Sequence, residues 1–139
     1  MTDEFAIDVR DLHKARGTNR AVRGVSFQVR AGEVFSLLGP NGAGKSTTFA
    51  MLSGLLAPDR GDALLAGHSI RDAGREARKV LGVVPQDIAL YMDLSALENL
   101  HFWGKMYGLR GASLRARSQE MLELIGLEQR QHERVVTFS

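Results

Sequence analysis

Hydrophobic and polar residues alternate in two stretches near the start of the chain. Phe5, Ile7 and Val9 are separated by Ala6 and Asp8, and Val25, Phe27 and Val29 by Ser26 and Gln28. Successive side chains on a strand point to opposite faces, so a period of two predicts two strands with one wet face each, paired in an antiparallel sheet. The polar stretch HKARGTNRA between them, residues 13–21, reads as a connecting loop. The pattern then changes. EVFSLL, residues 33–38, is almost continuously apolar, as a short strand buried on both faces of a parallel sheet requires.

Beyond a glycine-rich turn, Phe49, Leu52, Leu55 and Leu56 recur at helical spacing from Thr47, and the helix is expected to end before Pro58. GDALLAG (61–67) predicts a short strand and turn, REARKV (75–80) a brief helix, and LGVVP (81–85) a second apolar strand. From Asp87 onward the pattern is helical. Ser95 with Glu98 forms a capping box ahead of Leu97, Leu100, Trp103 and Tyr107, which predicts a helix ending near Gly108. Trp103 and Tyr107 share the stripe of Leu100 and are read as helical core; Phe102 lies off it and is read as a contact residue. Ser113 is expected to cap a further helix carrying Leu114, Met121, Leu122 and Ile125, with Gly126 as its stop.

Composition adds exclusions. The 139 residues carry a formal net charge of +2 without a dense basic block, so a nucleic-acid partner is not expected. There is no cysteine, which rules out disulfides and thiolate metal sites. The opening MTDEFAIDVR is acidic where a secretory signal is basic, and no apolar run approaches the roughly 18 residues of a membrane span.

The chemistry is concentrated in GPNGAGKST, residues 39–47. Gly39, Gly44, Lys45 and Ser46 satisfy G-x-x-x-x-G-K-[ST] between an apolar strand and a helix. Polyphosphate is a dense anion, and a loop free of bulky side chains lets consecutive backbone N–H groups converge on it at a helix N-terminus. Gly39, Gly42 and Gly44 keep such a loop open, with Asn41 and Ala43 adding backbone donors. Lys45 is expected to reach the terminal phosphates, Ser46 to ligate a bridging Mg2+, and Thr47 to donate to an inner phosphate.

The loop alone suits many nucleotide hydrolases. Together, GEVFSLLGPNGAGKSTTFAMLSGLLAPDRGDALLAGHSI, LGVVPQD and SALENLHFWGKMYGL resemble the ATP-binding subunit of ABC transporters along essentially the whole chain, and most of all the exporter ATPases for drugs, antibiotics or other hydrophobic cargo. The resemblance implies an α/β P-loop NTPase fold with an N-terminal antiparallel β-subdomain, a parallel core sheet and the start of an α-helical lobe. The core lobe covers about residues 1–86 and the helical lobe about 87–139. Gln86 matches the glutamine that in this family contacts magnesium and the attacking water and marks the hinge between lobes. The cofactors implied are ATP and Mg2+. The implied partners are a membrane-spanning permease and a second ATP-binding subunit, with the chain peripheral on the cytoplasmic face of the membrane.

Two departures stand out. The family's aromatic residue that stacks on adenine falls here at Arg16, whose guanidinium can also lie flat on a base. The closing TFS, residues 137–139, resembles the first residues of the family's signature, whose glycines do not follow, and the acidic strand, catalytic glutamate and switch histidine are not encoded. His13, His68, His101 and His132 are read as ordinary surface or core residues. These residues alone are therefore expected to show no turnover, and strand edges at 33–38 and 81–85 are expected to be left open. The rival readings are a soluble ABC-type ATPase acting on ribosomes or DNA, and a non-functional gene fragment.

Overall fold

The computed structural model describes residues 5–86 and 89–138. They form two compact units, divided between Val83 and Val84.

The first unit is built on an antiparallel hairpin. Strands β1 (Phe5–Arg16) and β2 (Asn19–Arg30) are joined by the two residues Gly17 and Thr18. The stretch 13–21 is thus mostly strand, not the loop that its polarity suggested. Its side chains are wet while its backbone is paired, and Asp59 holds it from the far side. The Lys14 ammonium reaches Asp59 Oδ1 at 2.6 Å, the Ala15 N–H donates to Asp59 Oδ2 at 2.7 Å, and the Asp59 N–H donates to the His13 carbonyl at 2.9 Å.

Helix α1 (Lys45–Leu52) precedes strand β3 (Arg60–Leu65), which lies antiparallel on the other side of β1; the short β4 (His68–Ser69) completes a sheet ordered β2-β1-β3-β4. Helix α2 (Gly74–Lys79) follows. α1 starts earlier than the apolar spacing from Thr47 implied and ends at Leu52, well before Pro58. Val9, Leu12, Val22, Met51, Ala63 and Leu65 form the core of this unit, and Ala77 of α2 joins it. A bulge in β1 falls around Asp11, which has φ 50° and donates its N–H to Ser26 Oγ at 2.9 Å. Such a bulge adds local twist to a strand paired on both edges.

The two apolar segments read as parallel strands do not pair. Among the described residues neither 33–38 nor 81–85 carries ladder hydrogen bonds, and all sheet pairing is antiparallel. Val34 is 96% exposed and Val84 equally so. A parallel strand is stable only between neighbours and under helices. Phe35 nevertheless stacks on Phe27 of β2 with ring centroids 4.9 Å apart.

In the second unit α3 (Ala96–Met106) and α4 (Gly111–Ile125) are followed by 3-10 turns at Glu128–Arg130 and Val135–Thr137. The capping box is present in both halves: Ser95 Oγ accepts from the Glu98 N–H at 3.2 Å, and Glu98 Oε2 accepts from the Ser95 N–H at 2.8 Å. Gly126 closes α4 in the left-handed conformation. Ser113 does not cap α4. Arg110 is the cap residue, and the Ser113 hydroxyl donates to its carbonyl at 2.7 Å from inside the first turn. Nor do Trp103 and Tyr107 form a core, being 38% and 81% exposed. Helical spacing defines a stripe but not what covers it. Phe102 is likewise at the surface, in an edge-to-face pair with Trp103 at 5.3 Å. None of the described helices is long and apolar enough to cross a membrane.

Candidate nucleotide site

The glycine loop delivers the chain into α1 without a conventional cap. Gly44, at φ 88° and ψ 2°, precedes the helix with no side-chain cap and no acidic residue in the first turn. The Thr48 N–H and Thr48 Oγ1 both donate to the Gly44 carbonyl, at 2.8 and 3.0 Å, which closes the first turn from within. Among the described residues no acceptor faces the N–H groups of Lys45, Ser46 and Thr47. These groups carry the positive end of the helix dipole, and no protein group competes for them.

Lys45 folds over the loop that precedes it. Its ammonium donates to the carbonyls of Gly39 at 2.6 Å and Pro40 at 2.8 Å. The Ala43 N–H donates to the Pro40 carbonyl at 3.2 Å, so residues 40–43 form a compact turn. Asn41, Gly42, Ala43 and Ser46 are exposed, while Thr47 is buried at 8% exposure. A Cβ built on Gly42 meets nothing within 4 Å. The donor set fits a polyanion: backbone N–H groups, the Lys45 ammonium and the Ser46 hydroxyl, with no carboxylate in the loop or in the first turn of α1.

The loop is seated on the hairpin. A Cβ at Gly44 would stand 2.3 Å from the Ala21 carbonyl and 3.1 Å from Val22 Cγ2. Only glycine permits that approach at this backbone angle. Sequence reasoning passed over Ala21, Val22 and Thr48. No local signal marks the first two, because their part is to offer backbone and a methyl group to a glycine far along the chain.

Residues 39–47 are therefore brought together as one surface. Arg16 ends β1 beside the hairpin turn, exposed and paired with Asn19 through the ladder; its guanidinium has no hydrogen bond or ion pair among the described residues. Its neighbour Ala15 is bound to Asp59, whose carboxyl is held below its usual range by the Lys14 ammonium first and the Ala15 N–H second. Gln86 belongs to the second unit, at an exposed bend. His13 donates from Nε2 to Asp11 Oδ1 at 2.8 Å. Among the described residues no group of three or more His, Asp or Glu is arranged to hold a metal ion.

A loop of this form at the start of a helix defines the phosphate-loop class of nucleotide-binding proteins. The particular family follows from comparison: residues 22–139 match the family described as ABC transporter, and the chain belongs to it. It is 47% identical over 133 residues to the linearmycin resistance ATP-binding protein LnrL of Bacillus subtilis, covering 96% of this chain and 43% of that protein. It is 44% identical over 124 residues to the Nod factor export ATP-binding protein I of Ralstonia nicotianae, covering 89% and 39% respectively. Among solved structures, cbiO1 from Clostridium perfringens, part of the ABC transporter complex cbiONQ, superposes with a TM-score of 0.85 at 26% identity, over 99% of this chain and 57% of that one. The chain thus spans less than half the length of these two curated relatives.

Proposed function

We propose that the chain forms the nucleotide-binding part of an ABC transporter ATPase of the exporter type, which couples ATP binding and hydrolysis to export through a membrane-spanning permease. The observation that carries this reading is the set of unclaimed N–H groups at Lys45, Ser46 and Thr47, preceded by a carboxylate-free loop and accompanied by the Lys45 ammonium. The reported relatives are named for resistance and for Nod factor export, which favours a transporter over a soluble ATPase of ribosomes or DNA.

In this reading residues 39–47 hold the phosphates of ATP, and Ser46 and Gln86 hold magnesium. Bound magnesium supplies positive charge that neutralises the phosphate oxygens. Lys45 exchanges the carbonyls of Gly39 and Pro40 for anionic oxygens, which are stronger acceptors. Arg16 lies flat against the base. Gln86 reports the nucleotide state to the helical residues that follow it. A second ATP-binding subunit completes the site, and the assembly sits on the cytoplasmic face of the membrane.

Calorimetry with ATP and Mg2+ tests the reading on the chain and on Lys45→Ala. Removing one charge-assisted contact, worth ~1.5–3 kcal/mol, should weaken binding by about 10- to 100-fold while leaving the far-ultraviolet circular dichroism unchanged. Unaltered affinity in the variant would refute it.

A further inference from the structure

The chain holds three asparagines, in three different surroundings. Asn99, on α3, is 3% exposed and its amide is fully engaged: Oδ1 accepts from the Tyr91 N–H at 2.9 Å, and Nδ2 donates to the carbonyls of Tyr91 at 2.9 Å and Ser95 at 3.0 Å. Asn19 opens β2, paired with Arg16 through the ladder, and is followed by Arg20. Asn41 differs from both. It lies in the turn that the Ala43 N–H closes on the Pro40 carbonyl, it is exposed, and its amide has no hydrogen bond among the described residues.

The residue after it is Gly42, so Asn41 is the one asparagine followed by a residue without a side chain. Gly42 is exposed at φ 85°, a Cβ placed on it would meet nothing within 4 Å, and no acceptor holds its N–H among the described residues. The backbone nitrogen that follows an asparagine can attack the side-chain amide carbon and close a succinimide ring. A side chain on the attacking residue obstructs the approach, and a hydrogen bond that fixes either group opposes it. Neither obstacle is present here.

The loop also favours the charge that the step creates. Attack removes the Gly42 N–H proton and places negative charge on Asn41 Oδ1, where nearby positive groups stabilise it. The Lys45 ammonium rests on the carbonyls of Gly39 and Pro40, the second belonging to the peptide bond that enters Asn41. The unclaimed N–H groups of Lys45, Ser46 and Thr47 add the positive end of the helix dipole. No carboxylate stands in the loop to oppose them.

We propose that Asn41 is a site of spontaneous deamidation, promoted by the positive groups gathered to receive phosphate, and that the product closes the cradle to nucleotide. The Gly42 nitrogen bonds to Asn41 Cγ, its proton passing through water to Nδ2; the Cγ–Nδ2 bond breaks and Nδ2 leaves as ammonia. Water then adds to one carbonyl of the succinimide and breaks a C–N bond of the ring, which leaves aspartate or, with the main chain rerouted through the side-chain carbon, isoaspartate. Water is the only co-reactant. Either product brings a carboxylate into a loop that has none, against an anionic ligand, and isoaspartate also lengthens the main chain within the turn at 40–43. The loss of binding rests on the reading of residues 39–47 as a phosphate cradle; the covalent step does not.

Trypsin releases Asn41 in the peptide 31–45, which holds no other side-chain amide, and Asn19 in the peptide 17–20. The chain is aged in warm, mildly alkaline buffer, both peptides are followed by mass spectrometry, and calorimetry with MgATP is run on the intact samples. Deamidation of 31–45 outpaces that of 17–20 by about tenfold or more, because only the first has an unobstructed attacking nitrogen. It slows when MgATP is present during ageing, and the capacity to bind ATP falls in step with the converted fraction. Lys45→Ala converts more slowly than the unaltered chain, and in Asn41→Ser the affinity, whatever its starting value, does not decline with age. Asn41→Asp binds ATP at least about tenfold more weakly than the unaltered chain. Conversion of 31–45 no faster than that of 17–20 overturns the site, an unchanged rate in Lys45→Ala overturns its promotion by the loop, and conversion with ATP binding fully retained overturns the closure. A freshly prepared chain that binds no MgATP overturns the nucleotide reading instead, and the comparison of the two peptides still decides the covalent step.

Discussion

Gly44 stands so close to Ala21 that a Cβ on the glycine would lie 2.3 Å from the alanine carbonyl oxygen. The phosphate loop thereby takes its position from the hairpin beneath it. Gly42 has nearly the same backbone angle, φ 85° against 88°, yet a Cβ there meets nothing within 4 Å. The pair separates backbone strain from collision. Gly42→Ala should cost about 1 kcal/mol for the left-handed conformation alone. Gly44→Ala should cost about 2–3 kcal/mol or more and displace α1 from β2. Urea unfolding of the two variants checks the order, and equal losses would contradict it.

Met51 is fully buried on α1, on the face that packs into the sheet core. Met51→Ala should destabilise the first unit by roughly 2–5 kcal/mol through lost burial and the cavity left behind. Chemical denaturation measures it directly. A loss under about 1 kcal/mol would mean that α1 is not held by that core.

The capping box of α3 makes a prediction about acid. Glu98 is held below its ordinary value of 4.5, first by the Ser95 N–H, then by the Ser95 hydroxyl. Because the folded carboxyl gives up its proton more readily than the unfolded one, its contribution is complete above the ordinary value and is lost as pH falls through the lowered one. The thermal midpoint should therefore decline less steeply below pH 4.5 in Glu98→Gln than in the unaltered chain, since the amide oxygen still accepts from the Ser95 N–H but does not titrate. Matching profiles for the two chains would exclude this origin.

Ser95 itself is 5% exposed and caps the helix with its hydroxyl. Ser95→Ala should cost about 1 kcal/mol, and Ser95→Thr much less. Circular dichroism melting of the two variants provides the comparison.

What was legible in the sequence was what is local. Ser95 and Glu98 are three positions apart and announce their own hydrogen bonds; Gly126 does the same for the end of α4. The glycines, lysine and serine of 39–46 carry a spacing that backbone chemistry explains without reference to the rest of the chain. Asp59, by contrast, organises Lys14 and Ala15 from far along the chain, so a polar stretch that is half of a long hairpin looked like a loop. The segments 33–38 and 81–85 have the composition of buried strands, but pairing belongs to neighbours and not to composition. Ser113 was an eligible cap in sequence; the chain enters α4 earlier, at Gly111, and its hydroxyl turns back to Arg110. Asn99 gave no signal, since its task is defined only once Tyr91 lies against it.

The central place of β1 between β2 and β3 has a consequence for how the chain comes into being. β2 follows β1 after a two-residue turn, whereas β3 is translated only after the phosphate loop and α1. Hairpins zip in microseconds and ribosomes add on the order of ten residues per second, so one edge of β1 is occupied long before the other finds its mate. The nascent chain must keep that second edge vacant while the glycine turn and helix pass by, and the nucleotide cradle is put together on a template already set.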